Sequence, residues 1–428
     1  MKAKNTTVRA YGRSRWIPLL LKSIGPGVIT GAADDDPSGI ATYSVTGAQL
    51  GTKLLWTALF TWPLMAAVQM MCARIGKVTG RGLAGNLKQR FPRWMLFVFI
   101  IALLIANTIN IGADLAGMAD AATMLTGINS RWFVVSFAVL ISWATVWLHY
   151  KQIANVLKWL VLVLFAYPIT AFVVGANWGE VLRATLIPSM PHSRTEWSTL
   201  VAILGTTISP YLFFWQASEE VEEEKAAGQT TLAERKGATQ QELEFRNIDV
   251  GVGAFFSNSV MFFIILTTAI TLNRHGLTNI ETSRQAAEAL KPFAGNFAAT
   301  LFTVGIVGVG FLAIPTLAGS AAYAFAETLG WRQGLSKKLR QARWFYALIL
   351  ISTGVGVALD FIGINPVKAL YWTAVINGLL APFLLVAILF IAADKKLMQG
   401  QPSTRLGWFV VAFATLVMAV AGVAMFVV

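Results

Sequence analysis

Three consecutive carboxylates, Asp34, Asp35 and Asp36, stand inside a stretch that is otherwise almost free of charge. Pro37-Ser38-Gly39 follows them, and the flanks, residues 23–33 and 40–50, are each too short to cross a bilayer alone. Carboxylates at membrane depth are costly and are usually kept for function. Proline and glycine beside them break a helix and free backbone carbonyls. Carboxylate plus exposed carbonyl is the donor set of a hard cation. A second interruption, Gly205-Thr206-Thr207-Ile208-Ser209-Pro210-Tyr211, lies about half a chain later with hydroxyls around its proline. Breaks at corresponding positions are expected of a transporter built from inverted repeats, with its substrate held between broken helices. The plainer reading of Asp34–Asp36 is a surface loop between two short helices, and the second break argues against it.

The rest of the chain supplies the elements to position such a site. Its 428 residues are 56% hydrophobic and 13% charged, with 15 Trp and 27 Phe, far from the balance of a soluble domain. Apolar windows of about 20 residues place membrane spans near 23–50, 53–75, 94–126, 132–149, 153–175, 198–220, 250–273, 294–326, 344–361, 366–392 and 405–427. The expected architecture is an all-α polytopic membrane protein with eleven transmembrane helices. It divides into a basic cytoplasmic N-terminus (1–22), a first five-helix repeat (23–175), a second (198–392) and an additional helix (405–427). Segment 219–249, rich in Glu and Gln, reads as a cytoplasmic connector. Lys2, Lys4, Arg9, Arg13, Arg15, the run Lys77–Arg93 and the run Arg332–Arg343 fall on one side if the N-terminus is cytoplasmic. That asymmetry accounts for the +13 net charge without nucleic acid. The single Cys72 allows no intramolecular disulfide.

Several segments resemble the NRAMP family of divalent-metal transporters: Gly25-Pro26-Gly27, Asp36-Pro37-Ser38-Gly39 and Gln69–Ala84. Where this chain has Asp36–Gly39, the family carries Asp-Pro-Gly-Asn; its second span runs into Arg-x-Gly-x-Val-Thr-Gly. Asp114-Leu115-Ala116 is similar to the family's Asp-Leu-Ala-Glu, and Ser209-Pro210-Tyr211 stands where the family has Met-Pro-His. The resemblance implies a leucine-transporter-like fold, a 5+5 inverted repeat with spans 1 and 6 broken and the ion between the breaks. It implies Asp36 as metal ligand, with carbonyls near Ala33 and Thr206 facing the ion. Gly39 in place of Asn removes a side-chain oxygen, and Ser209 in place of Met replaces a thioether with a hydroxyl.

A thioether favours softer transition metals, whereas oxygen ligands suit Mg²⁺, Ca²⁺ and Mn²⁺. Mg²⁺ sheds its waters reluctantly and suits a roomy site with few carboxylates. Within the resemblance, the chain is similar to the NRAMP-related branch that carries Mg²⁺, with Mn²⁺ as the alternative cargo. Asp34 and Asp35 would point about 200° and 100° away from Asp36 on a helix. One of them is expected to line the access path or to bond the broken helix end. The family's proton path uses a span-six His, a span-three Glu and span-nine arginines. Here those positions read Tyr211, Gly117 and no arginine between Trp344 and Asp360, and His149, His192 and His275 fall at span ends or in loops. Asp114 and Asp120 are what remains of a relay, and Asp114 reads equally well as bonding a neighbouring helix across the bundle, so uncoupled or weakly coupled import is expected. Membrane potential alone supplies roughly 4.6 kcal/mol for a divalent ion at 100 mV.

Asn107, Asn110 and Asn258 read most simply as interhelical hydrogen-bonders, Arg74 as an anchor, and Asn377, just before Pro382, as a candidate gate. The reading is therefore a transporter in the plasma membrane, expected to be monomeric, with no cofactor, no nucleic-acid partner and the lipid bilayer as its surroundings. A proton-coupled Mn²⁺/Fe²⁺ symporter and an organic-solute carrier of the same fold are the rival readings; Asp36 disfavours the latter. No zinc-ligand spacing, phosphate loop or nucleophile–His–acid set suggests an enzyme.

Overall fold

The structure, a computed structural model, describes residues 26–148 and 162–428. The basic N-terminus, the junction of the fourth and fifth spans and His149 lie outside the described residues. Fifteen of the helices carry the architecture. The first span is two helices, α1 (Pro26–Asp34) and α2 (Pro37–Leu50). They are followed by α3 (Trp56–Thr79), the short α4 (Leu83–Arg90), α5 (Arg93–Thr126), α6 (Ser130–Trp147), α7 (Ala166–Val174) and α8 (Trp178–Leu186). The sixth span is again split, into α9 (Arg194–Thr207) and α10 (Pro210–Ala226). Then come α11 (Gln240–Thr271), α12 (Ala298–Leu329), α13 (Arg343–Asp360), α14 (Pro366–Ala393) and α15 (Arg405–Val427).

Among the described residues nine helical stretches are long and apolar enough to cross a membrane, with the split sixth span counted once. The broken first span and the apolar helix Val163–Val174 occupy the two remaining places in the expected order. Exposed large side chains such as Trp94, Trp132, Phe383 and Phe409 face outward, whereas the bundle centre is rich in buried hydroxyls, amides and carboxylates. That inversion is expected where the solvent is lipid and polar groups must find partners inside.

The helix starts are locally encoded. Asp36, Asn129, Asn177, Ser193, Thr239, Asn365 and Thr404 each accept a backbone N–H of the helix that follows, as short polar N-caps do. The acidic segment beginning at Glu219 does not leave the helix where the apolar run ends. α10 continues to Ala226 because Glu219, Glu220 and Glu224 are buried, with Glu220 and Glu224 paired to Arg246 and Lys77. α11 in turn starts at Gln240, ahead of its apolar run.

Small residues set the closest helix contacts, as in membrane bundles generally. α1 carries Gly27-x-x-x-Gly31. A methyl at Gly27 would lie 2.6 Å from the Val250 nitrogen, and one at Gly31 would lie 2.7 Å from the Gly253 Cα. α1 and α11 thus run side by side, with Gly27 opposite Val250 and Gly31 opposite Gly253. On the other break, a methyl at Gly205 would run into the Ala374 carbonyl oxygen and the Gly378 nitrogen of α14. Gly205→Ala is expected to lower stability by about 1–3 kcal/mol through overpacking. Gly354→Ala on α13, where a methyl would meet nothing within 4 Å, is expected to be neutral or mildly stabilising. Thermal unfolding of the two purified variants checks the contrast; equal midpoints would contradict it.

Candidate metal site between the two broken helices

Asp36 is the hinge of the first break. Its extended backbone (φ −69°, ψ 170°) precedes Pro37 at the first turn of α2. One carboxylate oxygen, Oδ1, accepts the Gly39 N–H and the Ser38 hydroxyl, both at 2.7 Å. The other, Oδ2, accepts from Asn110 Nδ2 at 3.1 Å. Asn110 sits one turn before Asp114 on α5, with Nδ2 at 3.5 Å from Asp114 Oδ2. Oδ1 of both Asn110 and Asp114 is buried without a hydrogen-bond partner. The side chain bonding the broken helix end is therefore Asp36 itself. Asp34 and Asp35 turn instead toward α11: Ser257 donates to Asp34 Oδ2 at 2.6 Å and lies 3.3 Å from Asp35 Oδ1.

The second break faces the first. Gly39 carries no side chain at the point of closest approach, where a Cβ would stand 3.0 Å from Thr206 Oγ1 and 3.5 Å from Asp36 Oδ1. Ser209, extended ahead of Pro210, donates its hydroxyl back to the carbonyls of Gly205 (2.7 Å) and Thr206 (2.8 Å). Those are carbonyls that the interruption leaves without helical partners. The Tyr211 hydroxyl donates to the Ala33 carbonyl at 3.0 Å and links the two breaks directly. Asp34, Asp35, Asp36, Asp114, Thr206, Ser209 and Tyr211 are all buried. Among the described residues no three His, Cys, Asp or Glu side chains converge as a resident metal centre would need. The donors gathered here are carboxylates, hydroxyls, an amide and backbone carbonyls, and none of the residues named at the breaks carries sulfur.

The other polar residues divide cleanly. Asn258 accepts from Thr61 Oγ1 (2.8 Å) and donates to the Ala254 carbonyl (3.0 Å). Asn107 donates to the Leu317 carbonyl (2.9 Å). Both are interhelical fasteners, as expected, and so is Asn110, whose partner across the bundle is Asp36 at the first break. Arg74 donates to the Gln401 carbonyl (3.2 Å) and is an anchor. Asp120 accepts the Ser283 N–H at 2.9 Å, away from the breaks. Asn377 lies buried on α14 beside Gly378, on the turn packed against Gly205, with Oδ1 unpartnered. Ser257 was not singled out from the sequence, because its partners are 222 and 223 residues away.

Residues 27–428 match the profile of the family described as "Natural resistance-associated macrophage protein-like". This chain belongs to the Nramp family. A relative in Caldanaerobacter subterraneus subsp. tengcongensis, named divalent metal cation transporter MntH, is 27% identical over 403 residues, 90% of this chain and 88% of its own length. A crystal structure of the Eremococcus coleocola manganese transporter superposes with a TM-score of 0.77 at 18% identity, covering 97% of this chain and 89% of that one. The nucleobase-cation-symport-1 family transporter MHP1 has a TM-score of 0.60 at 13% identity and covers 94% and 90%. This Nramp protein has the leucine-transporter-like fold, two inverted five-helix repeats with the first and sixth spans broken, and it is a transport protein rather than an enzyme.

Proposed function

We propose that this Nramp protein imports a divalent cation by alternating access, with Mg²⁺ as the favoured cargo and Mn²⁺ also accepted. The observation that carries the reading is that the side chains around Asp36 at the two breaks bring oxygen ligands and no sulfur. Gly39 brings no side chain, and Ser209 brings a hydroxyl already turned onto backbone carbonyls. Such a donor set suits a hard cation that keeps part of its water. In this reading the ion meets Asp36 and Asn110 first. It then competes with the hydroxyls of Tyr211 and Ser209 for the carbonyls of Ala33 and Thr206. Asp34 and Asp35, held by Ser257, add negative potential along the approach without joining the same ligand sphere.

The site is buried from both ends, so exchange needs one end to loosen at a time. At the Lys/Arg-rich end, which the charge bias makes cytoplasmic, Asp249 accepts the Gly27 N–H at 2.8 Å and Thr30 donates to Gln216 at 2.7 Å. At the opposite end Lys53 pairs with Glu196 at 2.6 Å, and the Tyr371 hydroxyl lies 2.9 Å from Ser198 Oγ. Polar contacts of this kind can be remade between two states.

Proton coupling has little to run on. Asp114 is the one titratable group near Asp36 on α5, and Tyr211 occupies the place of the family's histidine. Uptake into proteoliposomes with a metal reporter and a pH reporter tests both parts. Mg²⁺ entry without internal acidification is the expected result; Mn²⁺ entry with acidification and no Mg²⁺ signal would overturn it and favour the manganese reading that the relatives' names carry. Gly39→Asn combined with Ser209→Met should shift preference from Mg²⁺ toward Mn²⁺ by about tenfold or more, since it restores an amide and a thioether. Unchanged selectivity in competition uptake would count against the oxygen-site argument.

A further inference from the structure

At the Lys/Arg-rich end of the bundle, the ends of α3, α4 and α14 and two loops line a cavity of about 650 Å³ that is open to solvent. Its charged lining is Arg81, Arg90, Lys236 and Lys396 with a single carboxylate, Asp394. That carboxylate is already committed. Its Oδ1 accepts the N–H groups of Lys396 (2.9 Å) and Leu397 (3.1 Å), and its Oδ2 pairs with Arg90 at 3.8 Å. Among the described residues Arg81, Lys236 and Lys396 have no carboxylate within ion-pair distance. Residues 1–25 and 149–161 contain no Asp or Glu, so they have no carboxylate to offer it.

The walls are fixed by the backbone. Gly237 N–H donates to the Val78 carbonyl (2.8 Å) and Arg235 Nε to the Gly80 carbonyl (3.3 Å), which pins Lys236 from both sides. The Gln401 side chain accepts the Ala238 N–H (3.0 Å) and donates to the Ala238 carbonyl (2.7 Å). Asn86 Nδ2 donates to Thr79 Oγ1 (2.8 Å) and to the carbonyls of Arg81 and Gly82 (3.1 and 2.9 Å). A topological bias explains an excess of Lys and Arg at this end. It does not explain why four of them, from separate segments, converge on one cavity held by so many backbone bonds. Like charges gathered this way repel unless an anion completes them.

The geometry points to a binding site for a phosphate-bearing anion in this cavity. Arginine offers a planar fork to phosphate oxygens and lysine a point charge, and the volume suits a small ligand or a headgroup. The phosphate can come from an anionic lipid at the membrane surface or from a free polyphosphate. The inference stands apart from the identity of the transported ion.

Three proteins decide it: the wild type, Lys236→Gln/Lys396→Gln, and a control, Arg332→Gln/Arg343→Gln, that removes the same charge at the same end outside the cavity. Thermal unfolding is followed without divalent cations, in detergent with and without pyrophosphate, and in phosphatidylcholine nanodiscs with and without phosphatidylglycerol. The wild type and the control should be stabilised by about 2 °C or more, and the cavity variant by less than half as much. A cavity-dependent shift with pyrophosphate alone assigns a soluble ligand; one with phosphatidylglycerol alone assigns a lipid headgroup. If the wild type responds to neither, or the control loses as much as the cavity variant, the site does not exist.

Discussion

Asp36→Asn is expected to abolish divalent-cation uptake at ordinary substrate concentrations while leaving the protein folded. The substitution separates two jobs that one carboxylate performs. As an N-cap, Asp36 holds the Gly39 N–H and the Ser38 hydroxyl, and asparagine caps a helix about as well as aspartate. In the proposed ion site it would contribute charge, which asparagine lacks. Losing an outer-shell partner of a metal typically costs 10–100-fold in affinity, so losing the carboxylate that faces the second break should cost about a hundredfold or more. Asp36→Ala should additionally cost about 1 kcal/mol of stability through the lost cap. Uptake and unfolding measured on both variants check the separation. Near-normal transport by Asp36→Asn would remove Asp36 from the ion path.

The second large effect is expected at Arg246. Its guanidinium is buried among three carboxylates: Glu220 at 2.8 Å, Asp249 at 2.7 Å, and Glu223. Glu220 is fully buried, and it also accepts from Gln216 Nε2 at 2.9 Å. Removing one partner of a buried pair leaves an uncompensated charge and typically costs about 3–5 kcal/mol. Arg246→Met should therefore lower the unfolding midpoint strongly. Asp249, freed from Arg246, would also be a poorer anchor for Gly27. Glu220→Gln in the Arg246→Met background should recover part of the loss, because it removes a stranded charge. A double-mutant cycle measures the coupling; strict additivity would show that Arg246 and Glu220 act independently.

The breaks were legible because they violate a strong local rule. A run of carboxylates with proline and glycine inside an apolar span has few structural explanations, and Pro210 at the matching place of the second repeat leaves fewer. Asp36, Gly39, Thr206 and Ser209 do come together in the fold. What the sequence could not supply was direction. Asp34 and Asp35 turn toward Ser257, and nothing near either residue in the chain marks the other. Asn110 reads locally as one more interhelical amide, although its place one turn before Asp114 was a usable signal. The length of α10 was hidden for a different reason. Hydropathy ends the span near Glu220, yet the helix continues, since Arg246 and Lys77, distant in sequence, neutralise its acidic turn. Charge pairing across a bundle is invisible to a window moved along one segment.

The parallel seam between α1 and α11 has a mechanical consequence. Gly27 is opposite Val250, Gly31 opposite Gly253, and Asp34 bonds Ser257. Each step of three or four residues, about 5–6 Å, on one helix is matched by a similar step on the other, like the teeth of a zip fastener. The tooth at the Gly27 end is backed by the Arg246 cluster, whereas at the Asp34 end it is a single hydroxyl. α1 therefore has two ways to leave its seat. It can be unzipped from the hydroxyl end, beside Asp36, or it can carry α11 along as a doubled lever. The second requires no tooth to part, so a movement of α1 would be felt at Gln240 as much as at Pro26.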